Sequence, residues 1–392
     1  MNNISNRAAI VGIGTSVFSK NSEKTELRLI CECVRDALDD AGLLPTDIDG
    51  MVKHADDPTD EIAVTSAMGI GNLTYFGECR WDGASCGMVL RAVIGIVTGM
   101  ANYVVVYRAV NTSSKVRQRA NSRGVNQPPT GELVRLALHA PFGLMSEAGE
   151  IGLIVRRYMH NYGIDRDHFG WITEVCRDHG ARNPNSMYYN RPVGMEEYLQ
   201  SDDIVHPLRT LDCYEECDGG VALIITSTEN AKHLKQKPVN ILGATQSQYQ
   251  GVDEKSACYR DRMSSLPEIH HVGEKLYSMA GVSPKDIQVV QLDDAYAPLV
   301  PIQLEELGFC RPGEAPGFCE GGNRIRYGGQ LPLNTSGGSL GEGYMYNMNH
   351  IIEAVRQVRG SSTSQVSDVE LALVVSGAVG PASGLVLGEG HF

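Results

Sequence analysis

The chain begins with alternating strand and helix patterns. Residues 8–13 form a continuous apolar run, as expected for a buried strand, and a turn containing glycine follows it. Residues 26–41 then repeat apolar side chains at helical spacing, and Gly42 follows directly. A glycine in that position is a common helix stop. Strands that alternate with helices predict an α/β fold.

This pattern occurs twice along the chain. Residues 36–58 and 275–298 both read as a helix, a glycine cap, a short turn and a strand. Four residues recur in the same order and spacing, namely Gly42, Pro45, Asp47 and Ile48 as Gly281, Pro284, Asp286 and Ile287. Each copy also closes on an amphipathic helix that leads into an apolar strand. The sequence therefore predicts a duplicated α/β unit.

We place the N-terminal half at residues 1–237, with an insertion at 112–215, and the C-terminal half at 238–392. Ligand sites in such proteins lie where the halves meet. The loop of residues 334–350, rich in glycine and tyrosine, should therefore face residues 81–87 of the first half.

Composition narrows the class of protein. The net charge is -13, which argues against a nucleic-acid partner because such a surface needs clustered basic residues. No window approaches the eighteen or so apolar residues of a membrane span, and no signal-type apolar segment follows the polar N-terminus. We predict a cytoplasmic protein without a membrane partner.

The chain holds ten cysteines, without a C-x-x-C pair or a Cys/His spacing suited to zinc. We expect reduced thiols and no metal in this chain.

Several segments together resemble the thiolase superfamily, in its sterol-carrier-protein and lipid-transfer-protein-like branch. They are DGGVALIITS at 218–227, LDDAYAPLVPIQLEELGF at 292–309, and LNTSGGSLGEGY at 333–344 with EAVRQVRG at 353–360. The resemblance spans essentially the whole chain. It implies the thiolase fold, with two duplicated halves in five α/β/α/β/α layers. It also implies a homodimer that acts on acyl-CoA thioesters.

The residues that thiolases use for catalysis are replaced here. Gly83 stands where the family has its nucleophilic cysteine, and Cys86 follows one helical turn later. Tyr344 replaces the histidine of the family's G-H-P turn, and Ser376 with Gly377 replaces its second cysteine turn. Asp293 stands at the position of the family's asparagine.

These replacements resemble those of the steroid side-chain aldolases with the thiolase fold, which cleave a β-hydroxyacyl-CoA by retro-aldol chemistry with two tyrosines. The matching residues are Tyr296 and Tyr344. Either could serve as the base or the acid, provided its pKa of about 10 is lowered or its proton is shared. Coenzyme A is then part of the substrate, and lipid side-chain degradation is the implied pathway. The sequence does not identify the acyl group of the substrate.

Two other functions compete with this one. If the helix began at Cys86, its thiol would lie at a helix N-terminus with a lowered pKa. The protein would then be a thiolase, an acyl-CoA acyltransferase like the benzoylsuccinyl-CoA thiolases. The many replacements also allow a catalytically silent subunit that binds lipid or acyl-CoA. A tyrosine at both motif positions, 296 and 344, argues against that subunit.

Further candidates lie beside the tyrosines. Asp293 and Asp294 form either a proton relay or a charge cluster at a strand end, and His350 either orients a neighbour or caps a helix. Backbone N–H groups near Gly337, Gly338 or Gly377 could hold a thioester oxygen as negative charge develops on it.

Basic residues concentrate in one segment of the otherwise acidic chain. Arg117, Arg119 and Arg123 lie in a stretch rich in Ser, Asn and Gly, after Arg108 and Lys115. Such side chains suit the phosphates of coenzyme A, and a solvated loop is the equal alternative.

The resemblance also implies a small partner subunit that combines a zinc ribbon with an OB-fold, giving a heterotetramer around the homodimer. Residues 183–200 hold tyrosines and arginine of the kind that anchor interfaces. These side chains could equally pack the insertion or line an acyl pocket.

Overall fold

The structure is a computed structural model that describes residues 4–80, 83–114, 137–250 and 257–389. Its strands are β1 Ala8–Thr15, β2 Gly50–His54, β3 Tyr75–Cys79, β4 Tyr103–Asn111, β5 Asp203–Val205, β6 Leu208–Arg209, β7 Asp218–Ser227, β8 Val239–Ser247, β9 Val289–Gln291, β10 Leu371–Ser376 and β11 Ala382–Gly388.

The α-helices are α1 Glu26–Ala41, α2 Glu61–Met68, α3 Ala84–Val97, α4 Glu147–Tyr162, α5 Gly170–Arg182, α6 Met195–Gln200, α7 Thr228–Ala231, α8 Pro267–Ala280, α9 Leu299–Glu306, α10 Ala315–Cys319, α11 Gly338–Gly341 and α12 Met348–Arg359. Short 3-10 turns cover Pro45–Asp47, Ala140–Phe142, Arg166–Phe169, Thr210–Asp212 and Pro284–Asp286.

The strand order shows the duplication directly. Within the described residues, nine strands follow one another as β3-β2-β4-β7-β1-β8-β11-β10-β9. Parallel β2 and β4 correspond to parallel β9 and β10, and each half continues through two antiparallel pairings to β1 or β8. The halves join through only two residue pairs of β1 and β8, so each half keeps its own sheet.

The layers follow from which helices the sheets bury. Helix α1 packs against β1, β7 and β4, and α8 packs against β8 and β11, on the outer faces. Helices α3 and α12 contact strands of both halves and form a central layer. Their side chains share one buried cluster with both sheets. This arrangement confirms the predicted α/β class with five layers.

The repeated helix ends have the same geometry in both halves. Gly42 and Gly281 each follow their helix with φ of 74° and 72°, the left-handed region that favours glycine. A 3-10 turn follows each glycine, and its aspartate, Asp47 or Asp286, accepts the N–H of the residue before the turn. The sequence repeat is thus a structural repeat, while the boundary at 237 stays a prediction.

The insertion packs against the glycine loop. A Cβ on Gly180 of α5 would lie 1.8 Å from the Gly341 carbonyl oxygen, and one on Gly341 would lie 2.0 Å from the Cys176 carbonyl oxygen. Backbone therefore meets backbone here, which only glycine permits at such distances. The insertion fixes the position of the loop.

Two of the insertion tyrosines that were candidates for interface anchors are buried in this chain. Tyr188 and Tyr198 are buried, whereas Tyr189 is 46% exposed. The Arg177 guanidinium lies 3.4 Å from the Tyr188 ring centroid, and the Tyr198 hydroxyl donates to Asp212 at 2.8 Å. These side chains pack the insertion, which was the alternative reading. Across the described ranges, the helices are too short or too polar to span a bilayer.

Candidate active site

A narrow cleft opens where the insertion meets the second half. The cleft is lined by the loops that follow β9, α11 and β10 and by the start of α4. The lining residues include Glu147, Asp293, Tyr296, Tyr344, Asn347 and Val379. Because β9 and β10 are parallel neighbours, the loops that follow them emerge at the same edge. The sheet thereby brings residues distant in sequence into one cleft.

The two loops predicted to face each other are in contact. The Ser85 hydroxyl donates to the Tyr346 carbonyl, and the Ser383 hydroxyl donates to the Gly83 carbonyl. The first half therefore supports the site from behind, through residues 83–85.

Tyr344 lies in a stack of aromatic rings. Its ring stacks on Tyr214 with centroids 3.7 Å apart and contacts Tyr346 at 4.4 Å. The chain then passes through two consecutive residues with positive φ, Tyr346 at 53° and Asn347 at 69°. For residues other than glycine this conformation costs roughly 1–2 kcal/mol each, and such strain often marks functional sites. The packing holds the Tyr344 ring in a defined position.

Arg108 stands at the far end of this stack. Its guanidinium lies 3.8 Å from the centroid of the Tyr346 ring and 3.3 Å from an Asp57 carboxylate oxygen, and both charged side chains are buried. Burial raises the pKa of Asp57 to about 6, although the Arg108 charge lowers it. Arg108 therefore has a local role inside the first half and does not face solvent as a phosphate ligand would.

Tyr296 follows β9 and lines the same cleft. Its ring meets the Tyr214 ring edge to face at 5.9 Å, and the Tyr214 N–H donates to the Ala295 carbonyl at 2.9 Å. Burial raises the pKa of Tyr296, and the negative charge of Glu147 with its hydrogen bond to the phenol raises that pKa further. The phenol is consequently protonated and directed at a carboxylate.

Asp293 ties two cleft loops together. One carboxylate oxygen accepts the Ala295 N–H at 3.0 Å, and the other accepts the Gly377 N–H at 3.1 Å. Burial raises the pKa of Asp293, and these hydrogen bonds together with His350 act against the increase.

Asp294 and His350 form a buried pair away from the cleft. His350 Nε2 lies 3.0 Å from Asp294 Oδ1, and the same carboxylate accepts the N–H of Ser339 at 2.7 Å and of Leu340 at 3.3 Å. Burial opposes both charges, yet their attraction raises the pKa of His350 and keeps the pKa of Asp294 low. This pair anchors α11, so of the readings left open for His350 the structure favours orientation of a neighbour.

The glycines proposed as oxyanion donors contact other parts of the protein. Gly377 donates its N–H to Asp293, and Gly337 donates to the Asn334 carbonyl at 2.8 Å. A Cβ on Gly338 would lie 2.3 Å from an Asp294 carboxylate oxygen. Their lack of a side chain thus permits internal packing, and the N–H groups of Gly337 and Gly377 donate to protein acceptors.

Cys86 does not begin the helix. Helix α3 starts at Ala84, and the Cys86 thiol is completely buried against the Val374 carbonyl at 4.0 Å. Burial raises the pKa of Cys86, opposite to the lowered value that the thiolase alternative requires. Arg117, Arg119 and Arg123 lie outside the described residues.

Sequence reasoning missed Glu147 and Tyr214. Tyr214 lies only a few residues before β7 begins. Its position next to a strand end could have indicated that it lies near the site. Glu147 follows Ser146, whose hydroxyl accepts the Gly149 N–H as a helix cap, and that serine pattern marked a helix start. Neither residue sits on a motif of its own.

Comparison with known proteins identifies the class. The family described as "Thiolase C-terminal domain-like" matches residues 249–388. The five layers and the duplicated topology agree with this match, so the class of fold is that of the thiolases.

Full-length relatives identify the family. The chain is 44% identical over 382 residues to the "Steroid side-chain-cleaving aldolase" of Thermomonospora curvata, covering 97% of each chain. It is also 44% identical over 395 residues to the "17-hydroxy-3-oxo-4-pregnene-20-carboxyl-CoA lyase" of Mycobacterium tuberculosis, covering 98% of this chain and 100% of the relative. A solved "Ltp2-ChsH2(DUF35) aldolase" superposes with a TM-score of 0.94 at 43% identity, covering 100% of both chains.

The chain therefore belongs to the family of steroid side-chain-cleaving aldolases within the thiolase superfamily. It is an enzyme, a carbon–carbon lyase of the retro-aldol type, which confirms the predicted class.

Proposed function

We propose that this chain cleaves the Cα–Cβ bond of a β-hydroxyacyl-CoA with a steroid acyl group, using Tyr296 and Tyr344. The observation that carries the two-tyrosine mechanism is that both residues line one cleft, whereas Cys86 is buried away from it. The steroid substrate is inferred from the relatives. In the name of the mycobacterial lyase, the hydroxyl on carbon 17 is β to the carboxyl group on carbon 20.

Retro-aldol cleavage of that compound would give a 17-ketone and a three-carbon acyl-CoA. The hydroxyl proton leaves, the Cα–Cβ bond breaks, and the electron pair moves into the thioester as an enolate. A second proton then reaches the α-carbon. Two tyrosines in one cleft suit two proton transfers, one from the hydroxyl oxygen and one to the α-carbon.

Stabilisation of the enolate needs a hydrogen-bond donor. The Asn347 side chain lines the cleft beside Asp293, and its interaction with that carboxylate acts against the raised pKa of Asp293. We assign this side chain to the thioester oxygen in place of Gly337 and Gly377. A donor in that position contributes typically about 3 kcal/mol.

Product analysis tests the reaction. The protein is incubated with 17-hydroxy-3-oxo-4-pregnene-20-carboxyl-CoA, and separately with a β-ketoacyl-CoA plus free CoA. We expect a 17-ketone and a three-carbon acyl-CoA in the first reaction and no turnover in the second. Thiolytic products in the second reaction, with none in the first, would reverse the assignment.

The partner and the assembly belong to the same proposal. We infer a homodimer that binds a small subunit with a zinc ribbon and an OB-fold, forming a heterotetramer. The name of the solved aldolase combines two components, which supports a complex. Purification of the chain alone tests this: we expect weak activity or insolubility that a co-expressed partner corrects, and a fully active isolated dimer would contradict it.

Two smaller inferences accompany the reaction. Arg117, Arg119 and Arg123 remain candidates for the CoA phosphates, which a charge-reversal variant with a raised KM would support. A cytoplasmic location likewise stays a prediction, which fractionation of cells would check.

A further inference from the structure

The β-hydroxyl proton of the substrate needs a final acceptor. A phenolate would be an adequate base, but burial and the Glu147 charge raise the pKa of Tyr296, which keeps its phenol protonated. A phenol can still accept the substrate proton if it passes its own proton to a stronger base at the same moment. The acceptor must therefore be sought among the groups that face Tyr296.

Two carboxylates line the cleft, Asp293 and Glu147. Both oxygens of Asp293 already accept backbone N–H groups, from Ala295 and Gly377. Losing either bond would release a cleft loop, so Asp293 is suited to holding the site together.

Glu147 has the location that a proton acceptor needs. It is half-buried at the first position of α4, where the partial positive charge of the helix N-terminus favours an ionised carboxylate. It lines the same cleft as Tyr296 and Tyr344, and it accepts a hydrogen bond from the Tyr296 phenol. The helix that carries it belongs to the insertion, so its position follows from how the insertion packs on the second half.

We propose that Glu147 is the final acceptor of the substrate's β-hydroxyl proton, which reaches it through the hydroxyl of Tyr296. This inference rests on the proposed retro-aldol function and assigns the two tyrosines. Tyr296 passes the proton from substrate to Glu147, and Tyr344 protonates the enolate carbon.

The step balances in atoms and electrons. The Tyr296 oxygen takes the substrate hydroxyl proton while Glu147 takes the phenol proton, so that the β-carbon oxygen becomes a carbonyl. The Cα–Cβ pair moves into the thioester, and the resulting enolate takes the Tyr344 proton at its α-carbon. Glu147 then carries one proton and Tyr344 lacks one, and exchange with water in the open cleft restores both.

Other titratable groups face Glu147 and must be separated from it. They are Tyr296, Cys213 and Glu216, with Tyr344 and Asp293 in the same cleft. Because a carboxyl group must be ionised to accept a proton, the relay predicts that kcat/KM decreases on the acidic side of the pH profile. This decrease at acidic pH is called the acidic limb of the profile. A variant without the Glu147 carboxyl group should lack that limb.

The test compares Glu147→Gln with Glu147→Asp on the β-hydroxyacyl-CoA. We expect Glu147→Gln to lower kcat by about 100-fold or more with little change in KM, since general-base catalysis contributes typically 10²–10⁴-fold. The remaining activity should lack the acidic limb. Glu147→Asp should keep that limb and at least ten times the activity of Glu147→Gln. Glu196→Gln, an exposed glutamate of the insertion, is the matched control.

A double variant checks that the relay is one unit. Glu147→Gln with Tyr296→Phe should be no slower than the slower single variant, because both remove the same transfer. The inference is overturned if Glu147→Gln keeps over half of wild-type kcat with an unchanged pH profile, or if the two losses multiply. Failure of the wild-type protein to cleave the substrate would instead overturn the proposed function.

Discussion

Two equivalent loops of the duplicated halves have opposite environments. The first-half loop at Gly83 to Cys86 is closed by protein: Gly83 donates its N–H to Pro381, and the Cys86 thiol is buried. The second-half loop at Tyr344 to Asn347 has positive φ at two residues and lines the cleft. The position that matches the thiolase nucleophile is thus packed inside the protein, and the mechanism proposed above uses residues of the other half and of the insertion.

The largest expected loss of activity is at the second-half loop, Tyr344 to Asn347, which is called the open loop below because it lines the cleft. Tyr344→Phe removes one hydroxyl at a proton-transfer position and keeps the ring in its stack with Tyr214 and Tyr346. We expect turnover to fall by about 1,000-fold or more, at the upper end of what one acid contributes, with CoA binding and the melting temperature nearly unchanged. Steady-state kinetics and isothermal calorimetry measure both quantities. Tyr259→Phe, at an exposed tyrosine, is the control. Full activity in Tyr344→Phe would remove the contrast between the loops.

Gly180→Ala tests whether the insertion holds the open loop. The added Cβ would lie 1.8 Å from the Gly341 carbonyl oxygen, so α5 and the glycine loop must move apart. We expect a loss of about 1–3 kcal/mol in the free energy of unfolding, as for other overpacked sites, and a lower kcat. Denaturant titration and kinetics measure these changes. Gly194→Ala, where nothing lies within 4 Å of the added carbon, should be neutral. Equal stability of the two variants would disprove the contact.

Asp57 and Asp294 follow equivalent strands, β2 and β9, and their pKa values are shifted in opposite directions. Burial raises the pKa of Asp57 to about 6, so its protonation favours the folded state. Its contribution is complete below the pKa of the unfolded chain, near 4, and is lost as the pH rises through about 6. Relative to wild type, Asp57→Asn should therefore flatten the increase in unfolding free energy between pH 7 and pH 4 by roughly 1–3 kcal/mol. Thermal or denaturant unfolding across that range tests the sign. A steeper dependence in the variant would contradict it.

The smallest loss of activity is expected at the first-half loop, Gly83 to Cys86. Cys86→Ala removes a buried thiol that the aldolase mechanism does not use, so at least a tenth of the activity should remain. Stability should fall by about 1 kcal/mol, typical of a small core deletion. Intact-mass spectra of the wild-type protein during turnover should show no acyl-enzyme. An inactive, folded variant together with an acylated wild type would restore the thiolase reading.

The fold was predictable because its signals are local and repeated. Gly42 and Gly281 end equivalent helices for the same conformational reason, and periodicity marked the buried strands. Family motifs led to Tyr296 and Tyr344, which do lie in one cleft.

The remaining site depends on contacts that periodicity cannot show. Glu147 reaches Tyr296 only because α4 packs on the second half, and the left-handed turn that brings Tyr346 over Arg108 is set by tertiary packing. The glycines are ambiguous for a related reason: a residue without a side chain is required equally by a ligand and by a neighbouring helix, and here Gly341 faces α5. A glycine in the sequence indicates that some group lies close to the backbone, but it does not indicate whether that group is a ligand or another part of the protein.

The backbone contact between Gly180 and Gly341 also affects how the enzyme can be re-engineered. Two glycines meet here without side chains, so their backbones approach more closely than other residues would allow. An insertion taken from another protein must therefore keep a glycine at position 180. Grafting the insertion of a related aldolase onto this chain should transfer acyl-group preference while leaving the tyrosine of the glycine loop in register.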